Sequence, residues 1–154
     1  VERIRIKKQV MTFTQINAKT GIPTDCSTET IVDFLFTHLE QYGDQKDAIQ
    51  KCIDYVMNPE KGGQIIIGKD DEKIVGITIL NQTGMNGYIP ENILVYIATD
   101  KDFRGKGVGK KMMQTAIDLS EGDMALHCEP DNPAKFLYEK LGFTSKYLEM
   151  RLKK

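Results

Sequence analysis

The chain has no tryptophan, two histidines, three cysteines and five prolines in 154 residues. Each shortage removes a class of function. His38 and His127 are too few to form a cluster with metal-ligand spacing, so no metal site is expected. Cys26, Cys52 and Cys128 are odd in number and far apart, which argues for free thiols in a reducing cytoplasm rather than a disulfide framework. No apolar run approaches the ~20 residues that span a bilayer, and no secretory leader is evident, so no membrane association is expected. Val1 in place of methionine leads to the expectation of a trimmed terminus. An excess of charge is missing too: 21 basic against 22 acidic side chains leave a formal net charge of −1. With no basic excess and no stacking aromatics, a nucleic-acid partner is a poor reading.

What is present is 40% hydrophobic and 28% charged residues, the balance of one globular domain over residues 1–154. The hydrophobic period changes along the chain. Residues 3–7 alternate charge and isoleucine, as in a first strand. Residues 28–41 carry Ile31, Val32, Leu35, Phe36 and Leu39 at helical spacing, with Ser27 or Thr28 as cap and Gly43 after the end. A second stripe (Ala48, Ile49, Cys52, Ile53, Val56 and Met57) starts near Asp44 as N-cap and stops at Pro59. Isoleucine-rich runs at 64–69 and 73–81, joined by Asp70-Asp71-Glu72, predict a hairpin. A loop at 82–92 leads to a strand at 93–99. A helix at 107–120 closed by Gly122, a strand at 124–128, a helix at 133–141 and a strand at 146–153 follow. Hairpins combined with one helical crossover predict an α/β (α+β) fold, a mixed and mostly antiparallel sheet with helices on both faces.

The run Arg104-Gly105-Lys106-Gly107-Val108-Gly109-Lys110 follows an apolar strand and opens a helix. Alternating glycines clear one side of the turn, and a helix N-terminus offers unpaired amides at the positive end of its dipole. The pair suits a phosphate-bearing cofactor. A Walker loop is excluded, because Lys111 follows Gly109-Lys110 where serine or threonine is required. A dinucleotide fingerprint is excluded by the lysine at position 110 and by the late place of the run in the chain.

Arg104, Gly107 and Gly109 form the pattern R/Q-x-x-G-x-G. Downstream, Ala134, Tyr138 and Glu139-Lys140-Leu141-Gly142-Phe143 form a second pattern in the right order. From about Ile93 to Phe143 the chain resembles the GNAT superfamily of N-acetyltransferases. The resemblance implies a sheet splayed at its centre, with acetyl-coenzyme A as acyl donor between strands 93–99 and 124–128. It implies that backbone amides from Gly105 through Lys106, Gly107, Val108 and Gly109 to Lys110 meet the pyrophosphate. It further implies that Ile97 and Thr99 pair with the pantetheine arm, and that the Ile97 N–H serves as oxyanion donor. Tyr138 is the implied acid for the leaving thiolate. The asparagine that the family places seven residues before this tyrosine is Asp131 here, and Asn132 is one step late. Lys106, Lys110 and Lys111 either meet phosphates or form a solvated face.

An amine of pKa about 10.4 must lose a proton, at a cost near 4–5 kcal/mol at pH 7. Glu91, Tyr96, Asp100 and His127 lie near the central strand, and none is singled out as base. Cys128 beside His127 is better read as a core thiol than as a nucleophile, since strand neighbours face opposite ways. The acceptor is expected to be a small-molecule, peptide or protein amine. It would be shaped by residues 24–57 and 82–92, which hold Asp25, Glu29, Asp33, Glu40 and Glu91. Family members often dimerise, so a homodimer is among the expectations. The expected reaction is direct attack by the amine; the alternative is a catalytically silent acyl-coenzyme A sensor, since fold alone does not fix function.

Overall fold

Three consecutive isoleucines, Ile65, Ile66 and Ile67, are all buried, which a strand achieves only when both its faces are covered. They lie in β2 (Gly63–Asp70) of a five-stranded sheet. The others are β1 (Met11–Ile16), β3 (Lys73–Gln82), β4 (Asn92–Thr99) and β5 (Met124–Leu126). The computed structural model describes residues 10–154. The strands lie in the order β1-β2-β3-β4-β5, antiparallel except for the parallel pair β4 and β5. Helices α1 (Thr28–Leu39) and α2 (Lys46–Met57) pack with Ile16, Ile65, Ile67, Ile77 and Ile79 on one face. Helices α3 (Val108–Leu119) and α4 (Ala134–Lys140) cover Ile66, Val75, Leu80 and Leu94 on the other. Each such isoleucine or leucine contributes about 1.5–3 kcal/mol by leaving water, so both helical layers are held by the sheet. The expected mixed α/β fold is the one observed.

Several expectations are corrected. The strand expected at 3–7 lies outside the described residues, and the first strand is Met11–Ile16, whose polar, mostly exposed sequence hides its edge position. The last strand expected at 146–153 does not form, because an alternating sequence needs a partner edge and this segment pairs with none. Asp44 does not cap α2: the cap position is Gln45, without a side-chain bond, and the Asp44 carboxylate is engaged elsewhere. Ser27 does cap α1, its hydroxyl accepting from the Thr30 N–H at 3.2 Å. Among the described residues no helix is long and apolar enough to cross a membrane.

Two bulges shape the sheet. Gly68 pairs with Gly76 and Lys69 with Ile74, which leaves Val75 as the extra residue in β3. Ile79 pairs with Tyr96 and Leu80 with Leu94, which leaves Val95 extra in β4. A bulge shifts side-chain parity beyond it. Leu94 therefore packs with α3 and α4, while Tyr96 and Ala98 join the α1 and α2 layer.

Candidate active site

The sheet opens beside β4. Only Asn92, Ile93 and Leu94 pair with β5, through Met124, Ala125 and Leu126, and from Val95 onward that edge of β4 is unpaired. At the far end the Asp100 N–H donates to the Val75 carbonyl across β3 at 2.9 Å. Backbone groups alternate along a strand, so the amides of Ile97 and Thr99 point the other way, into the opening. A cavity of about 50 Å³ lies there, lined by Leu39, Tyr42, Leu94, Val95, Tyr96, Ile97, Leu126, His127, Asn132 and Tyr138.

The glycine run makes the turn from β4 into α3. Gly105 and Gly107 have φ of 78° and 80°, a region that other residues enter only with strain, and a Cβ at either would face open space. The first intrahelical bond of α3 runs from the Lys111 N–H to the Gly107 carbonyl, so the amides of Val108, Gly109 and Lys110 precede the ladder. Gly109 serves by closeness instead: a Cβ there would stand 3.4 Å from Leu137 Cδ2 and 3.8 Å from Thr99 Oγ1. Val108 is buried and anchors the turn in the α3–α4 core.

Two side chains of the run are engaged on neighbours. Arg104 donates to the His38 carbonyl at 2.8 Å and lies 3.5 Å from a Glu40 carboxylate oxygen, tying the turn to the end of α1. Lys106 stacks over the Phe103 ring at 4.9 Å, and Lys110 is exposed.

Tyr138 reaches the cavity from α4 and is 8% exposed. Burial, with a smaller effect from Cys128, pushes its phenol up to about 12. Its hydroxyl bonds no described residue. Since no fully buried side-chain oxygen among those residues lacks a partner, that hydroxyl touches open space. Asn132 lines the same cavity, and its Oδ1 accepts from the Ala134 N–H at 2.9 Å, fixing the start of α4. Asp131 contributes its carbonyl, which accepts from the Tyr42 hydroxyl at 3.3 Å across the cleft mouth.

The remaining residues separate clearly. Glu91 sits at the closed end of β4, where its carboxylate accepts from the Asp123 N–H against Gly122. Asp100 is spent on its own turn, accepting from the Asp102 N–H at 2.9 Å and lying 3.7 Å from His38 Nε2. Cys128 is half-buried, and burial pushes its thiol up, as in a core cysteine. His127 and Tyr96 do line the cavity. Tyr96 donates to Asp44 Oδ2 at 2.6 Å, and burial followed by that bond pushes its phenol up. Asp44 is the functional candidate that sequence reasoning missed, and no local signal marks it, because the bond spans 52 positions.

The acetyltransferase (GNAT) domain family matches residues 61–145, more than half of the chain. The chain belongs to the GNAT acetyltransferase family. N-alpha-acetyltransferase 30 of Schizosaccharomyces pombe is 28% identical over 82 residues, covering 50% of this chain and 55% of that protein. The chain thus matches about half the length of that relative. Aminoglycoside N-acetyltransferase AAC(6')-Iy in complex with CoA superposes with a TM-score of 0.68 at 17% identity, covering 97% of both chains. A GNAT family acetyltransferase from Elizabethkingia anophelis with acetyl-CoA bound gives 0.63 at 18% identity, over 87% of this GNAT chain and 76% of its own. These two likenesses concern the fold.

Proposed function

We propose that this GNAT protein transfers an acetyl group from acetyl-coenzyme A to an amine by direct attack. One observation carries the reading: an unbonded phenol and the unpaired edge of β4 meet at one opening, and that strand leads through the glycine turn to the uncapped start of α3. The residues fit the donor. Gly105 and Gly107 leave open space where side chains would stand, so a diphosphate can approach the amides of Val108, Gly109 and Lys110. Ile97 and Thr99 offer the edge a pantetheine amide needs, as an added strand would.

Bound there, acetyl-coenzyme A supplies an activated acyl group. The Ile97 N–H, already fixed by the sheet, donates to the thioester oxygen as negative charge develops on it. Tyr138, protonated at neutral pH, donates to the departing sulfur. The activities for which the N-alpha-acetyltransferase and the aminoglycoside N-acetyltransferase are named suggest the acceptor range, from protein N-terminal amines to aminoglycosides.

The test is free-thiol release from acetyl-coenzyme A with a panel of spermidine, kanamycin and peptides beginning with alanine, serine or methionine. Saturable acceleration by at least one amine is expected. Calorimetric binding of acetyl-coenzyme A without acceleration by any of them would move the protein to the sensor class.

A further inference from the structure

The cleft has two walls, and only one is used by the donor. Tyr138 and Asn132 belong to the α3–α4 side. The opposite wall is Leu39 and Tyr42, from α1 and the turn after it, with Val95 and Tyr96 of β4. With sulfur directed toward Tyr138 and oxygen toward Ile97, the nucleophile has that second wall left to approach from.

Tyr96 faces this wall because of the Val95 bulge; strict alternation from Leu94 would have turned it toward α3. It is 7% exposed, and its hydroxyl donates to Asp44 Oδ2 at 2.6 Å. A phenol that gives its proton to a carboxylate keeps oxygen lone pairs to accept another. Asp44 itself is exposed, so the far end of the pair is open to water. Geometry of this kind is a one-step relay from the cleft to solvent.

We propose that Tyr96 takes the proton of the acceptor amine and passes its own to Asp44. The inference rests on the acetyl-transfer reading of the same cleft. In the step, the bound ammonium first gives one proton to Tyr96 Oη, and the nitrogen lone pair so freed bonds the acyl carbon. The Tyr96 proton moves to Asp44 Oδ2, and the carbonyl electron pair moves onto oxygen at the Ile97 N–H. Cleavage of the C–S bond follows, the sulfur taking a proton from Tyr138, which regains one from the nitrogen as the amide forms, and Asp44 returns its proton to water. Tyr96 is then a catalytic residue, and Asp44 a positioning residue that acts through it. Burial of Tyr96 favours this order, because its anion never forms: one proton arrives as the other leaves.

Asp44→Asn separates the roles. The amide oxygen still accepts the Tyr96 bond, so the fold is kept, but it takes no proton. Rates are read from thiol release with whichever panel amine the wild-type protein acetylates fastest, from acidic to alkaline pH. Tyr96 is faced by Asp44 and Cys52, Asp44 also by Arg151, and His127 and Tyr138 stand across the cleft. These groups are common to both proteins, so the comparison isolates Asp44.

The expected loss in kcat is about a hundredfold near neutral pH. It shrinks as pH rises and the amine deprotonates in solution, while KM for acetyl-coenzyme A stays unchanged. Tyr96→Phe should match it, and the double variant should be no worse than either single one. A pH-independent loss, additive losses or wild-type rates in Asp44→Asn would each overturn the relay while leaving acetyl transfer standing. If Tyr96→Phe does not fold, the Asp44→Asn profile decides alone. Failure of wild-type protein to acetylate any amine would end the transfer reading, and the relay with it.

Discussion

Tyr138 shows how little a single residue needs in order to be poised. Its ring packs with Phe143 in edge contact at 6.0 Å between centroids, and its oxygen is left without a partner at the cavity. Removing that oxygen costs the core nothing, so Tyr138→Phe should keep the fold and acetyl-coenzyme A affinity. It should lower kcat about tenfold to a hundredfold, read by thiol release and calorimetry. An equal loss of affinity and rate would make the residue structural. Its ionisation also links to stability. Below pH 10 the phenol is protonated in folded and unfolded chains alike and has no pH effect. Between the ordinary phenol value of 10.0 and about 12 the unfolded chain releases the proton first, so stability falls as pH rises. Tyr96 and Cys52, pushed up by the same burial, act in the same direction. Thermal melts across that range should fall less steeply for Tyr138→Phe than for wild type, and equal slopes would contradict the assignment.

At the scale of elements, the turn into α3 carries a prediction that separates space from conformation. Gly107 sits at φ 80°, so Gly107→Ala should cost about 1–2 kcal/mol of stability through strain alone. Gly109 is helical, and an added Cβ would meet its neighbours at ordinary contact distances. Gly109→Ala should therefore leave stability unchanged or raise it by up to about 1 kcal/mol. The same methyl would narrow the gap between Thr99 and Leu137, and acetyl-coenzyme A affinity should fall. Denaturant melts and calorimetry on the two variants check the contrast; weakened folding with intact affinity in Gly109→Ala would refute it. This turn was legible in the sequence because everything that makes it is local, within seven consecutive residues. The helices and the hairpin were legible for the same reason, since periodicity is a local property. Asp44 was not: it resembled a helix cap, and only the bulge at Val95 brings Tyr96 to it across the layer. The terminal segment failed in the opposite sense. Its alternation is plain, but a strand is completed by pairing, which no local pattern supplies.

On the scale of the whole molecule, the cleft is a seam between two independently packed layers. The α1–α2 core and the α3–α4 core lie on opposite faces of the sheet, and the seam is where β4 leaves β5. Besides the Arg104 ties to the end of α1, the Tyr42 hydroxyl, from the turn after α1, reaches the Asp131 carbonyl before α4 at 3.3 Å. Behind it lies the cavity of about 50 Å³ that Tyr138 and Asn132 share with Tyr96. A donor that enters between the layers at this point has to displace the Tyr42 bond. A long hydrogen bond at the surface is worth about 1 kcal/mol or less, so it holds the closed form only weakly. Tyr42→Phe removes the bond and keeps the ring. It should raise the association rate of acetyl-coenzyme A by up to about fivefold, with the same gain in affinity, because the open form no longer competes with a latched one. Stopped-flow binding with a fluorescent coenzyme A analogue measures both. An unchanged association rate would mean that the layers part elsewhere and that the Tyr42 bond is incidental to entry.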